Sequence, residues 1–241
     1  MNMILRDCLF AMLVGIGLVV AGIPDVGAEP KVVYSIDFGQ EETGDASAWL
    51  ESQGFETLLD ADHLQVAFKG GALNVSTTES MAGVFALKFG KQDYLQNVKN
   101  VVIEWGVSRF PTGADWEQGN NRVPIAVMFS FGDKKLSSGL PFDVNPAPYF
   151  LSPFIGEKEP VDKMYIGTLY VEGGRYFCVS NGGPTPLGQT IATKFEVADR
   201  FKEVFEQDAT PPVTGLAFQM NTDDTEGGAE AFIRKIIFYS N

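Results

Sequence analysis

The feature that most constrains this chain is an alternation of apolar and polar residues with a period of two, repeated from one end to the other. Val32, Tyr34, Ile36 and Phe38 alternate with polar or small neighbours, as do Leu64, Val66 and Phe68. The pattern returns at Val101-Ile103-Trp105-Val107, at Val123-Ile125-Val127-Phe129-Phe131 and at Leu216-Phe218-Met220. Side chains of an extended chain point alternately to its two faces, so this pattern describes strands with one buried face. Shorter runs at 72–77, 83–89, 164–171, 175–180, 189–197 and 229–239 extend the series to about eleven strands, separated by Gly, Pro, Asn and Asp clusters. Two stacked antiparallel sheets are the natural packing for so many half-buried strands, and the expected fold is an all-β sandwich.

One segment has a helical period. In ADRFKEVFEQ (198–207), Phe201, Val204 and Phe205 share a face, and Arg200, Lys202, Glu203 and Glu206 cover the other. Asp199 is suited to cap its start, and Pro211-Pro212 prevent continuation. A short amphipathic helix near 198–207, laid on the sandwich, is expected.

Residues 1–28 read as a signal peptide. Arg6 closes a short n-region, Cys8 to Ile23 are apolar without interruption, and Val26-Gly27-Ala28 place small residues at a cleavage site. The apolar stretch is shorter than the roughly 20 residues of a membrane span. The expected product is an exported chain, periplasmic or extracellular, with residues 29–241 as one β-sandwich domain and no membrane attachment after cleavage. Cleavage would leave Cys178 as the sole thiol, which excludes an internal disulfide framework. Cys178 lies in the apolar run RYFCVS and is expected to be a buried small hydrophobe. The formal charge of −13 disfavours nucleic-acid and anionic-membrane partners.

Several catalytic classes are excluded by residue supply. His63 is the one histidine, so any Ser-His-Asp or Cys-His arrangement would have to pass through it. The chain has no G-x-S-x-G elbow, H-E-x-x-H helix, P-loop or G-x-G-x-x-G turn. Acidic residues abound, but none is marked out as an acid/base pair.

Aromatic residues in long loops are the candidate ligand contacts, because aromatic faces stack on the apolar faces of sugar rings. These are Trp116 in the segment 108–122 and Tyr149 and Phe150 in the proline-rich segment 140–160. Trp105 belongs to the core by its alternation, and Trp49, in GDASAWLESQG, is placed to cover an open sandwich edge. The acidic stretch NTDDTEGG (221–228) joins LAFQM to AFIRKIIFY and reads first as a hairpin turn, its Asn, Asp, Thr and Gly residues all being turn formers. Its sharper reading is a weak calcium site, with Asp223, Asp224 and Glu226 as ligands and Asp37 or Glu41 completing the shell if the first and last strands pair. No cofactor is otherwise required.

The opening VVYSIDFGQE, a Trp in a polar segment, GGALNVST and the closing AEAFIRKIIFYSN together resemble carbohydrate-binding jelly rolls of the galactose-binding-like type. From about 98 to 239, the segments WGVSRFP, PIAVMFSFG, DRFKEVFEQDATPPV and GLAFQMNTDDTEGGAEAF resemble a family of exported bacterial proteins of unknown function. The resemblance implies a jelly-roll fold, pairing of first and last strands, and an export route. The segment 140–160 departs from that pattern. Three functions follow in order of preference: a non-catalytic module binding a glycan or similar polar ligand, an accessory envelope protein acting through protein contacts, and a carboxylate-dependent glycoside hydrolase.

Overall fold

The structure, a computed structural model, describes residues 30–183 and 186–240. The expected signal segment, with Glu29 at its boundary, lies outside the described residues. The chain forms a two-sheet β-sandwich. The first sheet contains β1 (Lys31–Asp37), β2 (Gly44–Asp45), β4 (Gln65–Phe68), β5 (Leu73–Thr77), β7 (Val98–Arg109), β12 (Ile191–Phe195) and β14 (Ala229–Ser240). Its order is β12-β7-β14-β5-β4-β2, with β1 also pairing to β14. The second contains β3 (Phe55–Leu59), β6 (Ala82–Lys88), β8 (Val123–Leu136), β9 (Ala147–Gly156), β10 (Met164–Tyr165), β11 (Gly174–Asn181) and β13 (Val213–Asn221). Its order is β10-β11-β9-β8-β13-β6-β3.

The long last strand organises the first sheet. One side of β14 pairs along its length with β7, and the other is shared by β5, opposite Ala229 to Ile233, and β1, opposite Lys235 to Ser240. The expected pairing of first and last strands is therefore present. Most neighbours are antiparallel, but β9 and β11 run parallel. A parallel pair needs a crossover longer than a hairpin turn, and the segment between Gly156 and Gly174 provides it.

The alternating residues meet between the sheets. Trp105, Phe129, Phe131, Phe218 and Phe238 are fully or almost fully buried there with Ile103 and Ile236. Each such side chain contributes about 1.5–3 kcal/mol of transfer free energy. The helix α2 (Val197–Phe205) matches the expected amphipathic face, with Phe201 buried and its ring 4.8 Å from Phe131, but it starts earlier than expected: Glu196 is the N-cap and Asp199 lies in the first turn. A second short helix, α1 (Ser47–Ser52), carries Trp49.

Two expectations are corrected. The segment 140–160 is not one long loop, because Ala147–Gly156 form the interior strand β9. The stretch NTDDTEGG is not a hairpin turn either, because β13 lies in the second sheet and β14 in the first. It is an arch that carries the chain across the sandwich. Arches need their polar groups held from outside, and this one is. The Thr222 hydroxyl accepts from the Met81 N–H at 3.1 Å and donates to the Glu79 carbonyl at 2.8 Å. The Asp224 N–H donates to Ser80 Oγ at 3.0 Å, and Glu226 exchanges backbone hydrogen bonds with Thr112. Gly228, at φ +61°, closes the arch against the Thr77 carbonyl, where an added Cβ would lie 2.0 Å from the oxygen.

Candidate functional site

The loop aromatics expected to meet a ligand are packed inward. Trp116 is 8 % exposed, stacked on Phe154 at 5.1 Å and flanked by Tyr165 and Tyr176 at 5.3 and 4.9 Å. Its indole N–H donates to the Arg122 carbonyl. Together these rings cover the outer face of the second sheet, the face turned away from the main core. Phe150 is 3 % exposed between Tyr170 and Tyr176. Tyr149 points to the other face, where Phe201 and Phe205 of α2 enclose its ring. Trp116 and Phe150 are buried and Tyr149 is half-buried, each packed against rings that lie far away in the chain.

The expected cation ligands do not converge. Asp37 pairs with Lys235, six residues along β14 from Ala229, which at about 3.3 Å per residue puts it about 20 Å from the arch. Asp224 takes a hydrogen bond from Arg122 Nη2 at 2.9 Å, and Arg122 Nε donates to the Asp223 carbonyl at 2.5 Å. Arg122 thus supplies the positive charge beside Asp224. Among the described residues, no group of three or more His, Cys, Asp or Glu side chains is arranged to hold a metal ion.

The residues that do converge line a cleft at one open edge of the sandwich, between β1 of the first sheet and β3 of the second. They are Tyr34, Ser35, Ile36, Asp37, Glu41, Trp49, Gln53 and Phe55. The sheets leave this edge open because β1 and β3 each have a neighbour on one side only. Trp49 is held edge-on by Phe38 at 5.7 Å and Phe68 at 5.3 Å, and its remaining surface lines the cleft. Tyr34 is anchored against Phe89 and Phe238. Burial raises its phenol above the ordinary value of 10.0, so it stays a neutral hydrogen-bond donor.

The polar groups of the cleft fall into two sets. Asp37 is engaged: it accepts from Lys235 Nζ and from the Gly39 N–H, both at 3.0 Å. The lysine contact, assisted by Gly39, holds its carboxyl below the usual 3.8. Glu41 and Gln53 belong to the other set: no ion pair or hydrogen bond of their side chains is formed within the described residues. The cleft therefore offers two aromatic walls, a fixed ionised carboxylate, and polar side chains with their bonding capacity unspent. Of these residues, the sequence marks Asp37 and Glu41 as candidate cation ligands and Trp49 as cover for a sandwich edge. The contributions of Tyr34 and Gln53 depend on strand pairing across the fold and had no local signal.

A second cleft opens at the opposite edge, between β11 and β12. Its cations are already matched. Arg200 pairs with Asp162 at 3.1 Å and lies 5.0 Å above the Phe177 ring, and Lys194 pairs with Glu196 at 2.5 Å.

Cys178 is buried, as expected, and burial raises its thiol to about 11. His63 is exposed at the surface, 3.9 Å from Asp62. Among the described residues, no helix is long and apolar enough to cross a membrane.

No protein-family model matches this chain, and no curated protein does. Solved structures do. One is a family 29 carbohydrate-binding module from Piromyces equi, 14 % identical over 90 % of this chain and 93 % of that one, with a TM-score of 0.38. A mutant of a second family 29 module, complexed with mannohexaose, is 8 % identical over 86 % and 92 %, with a TM-score of 0.37. A cleaved adhesin domain of Lys-gingipain is 11 % identical over 85 % and 98 %, again with a TM-score of 0.37.

Proposed function

We propose that this protein is a non-catalytic binding module for a glycan, exported to the periplasm or beyond after removal of residues 1–28, and that its ligand occupies the Trp49 cleft. The observation that carries this reading is the pairing of Trp49 and Tyr34 with unspent polar side chains in one groove. Sugar rings need such a combination, because they present an apolar face for stacking and a rim of hydroxyls for hydrogen bonds. Asp37 does not suit the general acid of a hydrolase. A general acid needs a raised pKa, and Asp37 is shifted the opposite way by Lys235.

The test is a glycan array probed with the chain from Glu29 onward, alongside Trp49→Ala and Gln53→Ala. Wild-type binding that falls at least about tenfold in Trp49→Ala, with an unchanged melting temperature in Gln53→Ala and weaker binding there too, supports the site. Wild-type binding that survives both substitutions removes the cleft from consideration. Mass spectrometry of the envelope protein tests export, with Glu29 as the expected N-terminus.

The accessory-protein reading has one observation of its own. Phe142 is fully exposed at 101 % and holds φ +60°, a region that bulky residues rarely adopt. Its neighbour Val144 is 48 % exposed. An aromatic side chain displayed at such a cost suits a contact made with another protein. Under this reading Phe142→Ser abolishes capture of an envelope partner, and an unaltered capture profile rejects it.

A further inference from the structure

We propose that the Trp49 cleft selects sugar units bearing a free ammonium group over their neutral and acidic counterparts. This inference rests on the glycan-binding reading and names the ligand class within it. Two carboxylates line the cleft, and only one has a counter-ion. Lys235 neutralises Asp37 at 3.0 Å, and the lysine ammonium is itself held charged, raised above 10.5 by that carboxylate. Glu41 has no such partner among the described residues and lies half-buried beside the aromatic walls.

A carboxylate has acceptors and no donor, so an unpaired one next to an aromatic surface favours a ligand that supplies N–H or O–H groups. Hydroxyls satisfy its hydrogen bonds but leave its charge unanswered. An ammonium satisfies both, and the indole and phenol rings add a cation–π attraction that a neutral hydroxyl cannot gain. The wider field has the same sign: the chain carries −13, which draws cationic ligands towards the cleft and repels uronic acids. Acetylating the amine would remove the charge and both attractions with it. The neutral amide of Gln53, at the cleft rim, can take either a hydroxyl or an ammonium and so does not discriminate. The sign of the selection is therefore set by Glu41.

The experiment is calorimetric titration of the chain from Glu29 onward with three β-linked oligosaccharides of equal length: glucosamine, N-acetylglucosamine and glucose. A glucuronic acid oligomer serves as the fourth ligand. At about pH 5.5 and low salt, where the glucosamine amines are protonated, the glucosamine oligomer is expected to bind at least about tenfold more tightly than the glucose and N-acetylglucosamine oligomers, with no detectable uronate binding. Raising the salt concentration should narrow the gap, and Glu41→Gln should close it to within about twofold. Glu41 is not packed in the core, so the melting temperature of that variant should stay the same and confirm folding. Equal affinity for the amine and glucose oligomers, or a preference that survives Glu41→Gln, overturns the selection. If binding in either case still depends on Trp49, the glycan-binding reading stands without it. An absence of binding to all four ligands, with binding instead to a lysine-bearing peptide, rejects the glycan reading and this inference together.

Discussion

The carboxylate of Glu159 accepts a hydrogen bond from the backbone N–H of Trp116 at 3.1 Å, tying together two surface segments that are 43 residues apart in the chain. Its second oxygen accepts from the Lys158 N–H, and the whole residue is 1 % exposed. A buried carboxyl group needs hydrogen-bond partners, and here two backbone amides supply them. Glu159→Ala should therefore cost about 2–3 kcal/mol, because two N–H groups lose their acceptors at once. Glu159→Gln keeps one acceptor oxygen and should cost about half as much. Urea unfolding measures both. Losses below about 0.5 kcal/mol for the alanine variant would mean that water replaces the carboxylate without penalty.

Phe218 stands where the two sheets meet. It is 1 % exposed, stacked on Phe55 at 5.2 Å and in edge contact with Phe38 at 5.8 Å. Phe55 belongs to β3 of the second sheet and Phe38 to the turn that follows β1 of the first, so no single strand can shift to fill the space that truncation leaves. Phe218→Ala should destabilise by about 3–5 kcal/mol, the range for deleting a buried aromatic ring. A loss under about 1 kcal/mol would contradict its place in the core.

The Asp37–Lys235 pair joins β1 to β14 and gives stability a defined pH dependence. Both side chains are about one-third exposed, at 33 % and 32 %, so the contribution is small. Asp37 is lowered from 3.8 in the folded chain, so its contribution is complete above that value and fades as pH falls through the lowered one. Lys235 is raised from 10.5, so its contribution is complete below that value and fades as pH rises through the raised one. The stabilisation removed by Asp37→Asn should accordingly be constant from about pH 5 to pH 9 and shrink at both extremes. Melting temperatures of the two proteins across that range check this. A difference that grows below pH 4 would reverse the assigned sign.

The sandwich was legible in the sequence because strands with one wet face alternate. Val101-Ile103-Trp105-Val107 could belong to nothing else, and the alternation of Leu216, Phe218 and Met220 placed them correctly inside. The strand β9 was hidden for the opposite reason. In APYFLSPFIG both faces are covered, one by the main core and the other by the Trp116 cluster, so the run has no alternation and its prolines imitate a loop. That second covering also misplaced Trp116 and Phe150. A polar segment around Trp116 announces exposure, but the rings that bury it, Phe154, Tyr165 and Tyr176, come from strands far downstream. The cleft was illegible on the same grounds. Its walls come from β1, α1 and β3, which meet only because the first strand pairs with the last.

The acidic arch supplies the remaining prediction. A calcium ion would need six to eight oxygens converging at about 2.3–2.6 Å. Among the described residues no such set converges, and several arch groups meet protein partners instead: Asp224 meets Arg122, Thr222 meets Met81 and Glu79, and the Asp224 N–H meets Ser80. Millimolar calcium and chelator should leave the melting temperature of the wild type unchanged. The arch should respond to the loss of its anchors. Thr222 is fully buried, and Thr222→Val keeps its shape while leaving the Met81 N–H and Glu79 carbonyl without their hydroxyl partner, which should cost about 1–3 kcal/mol. Arg122→Ala should cost less, about 1 kcal/mol, because the Asp224 side chain is 85 % exposed and water can replace the guanidinium there. A midpoint that rises with calcium in the wild type and not in Asp224→Asn would place a cation at the arch and overturn this prediction.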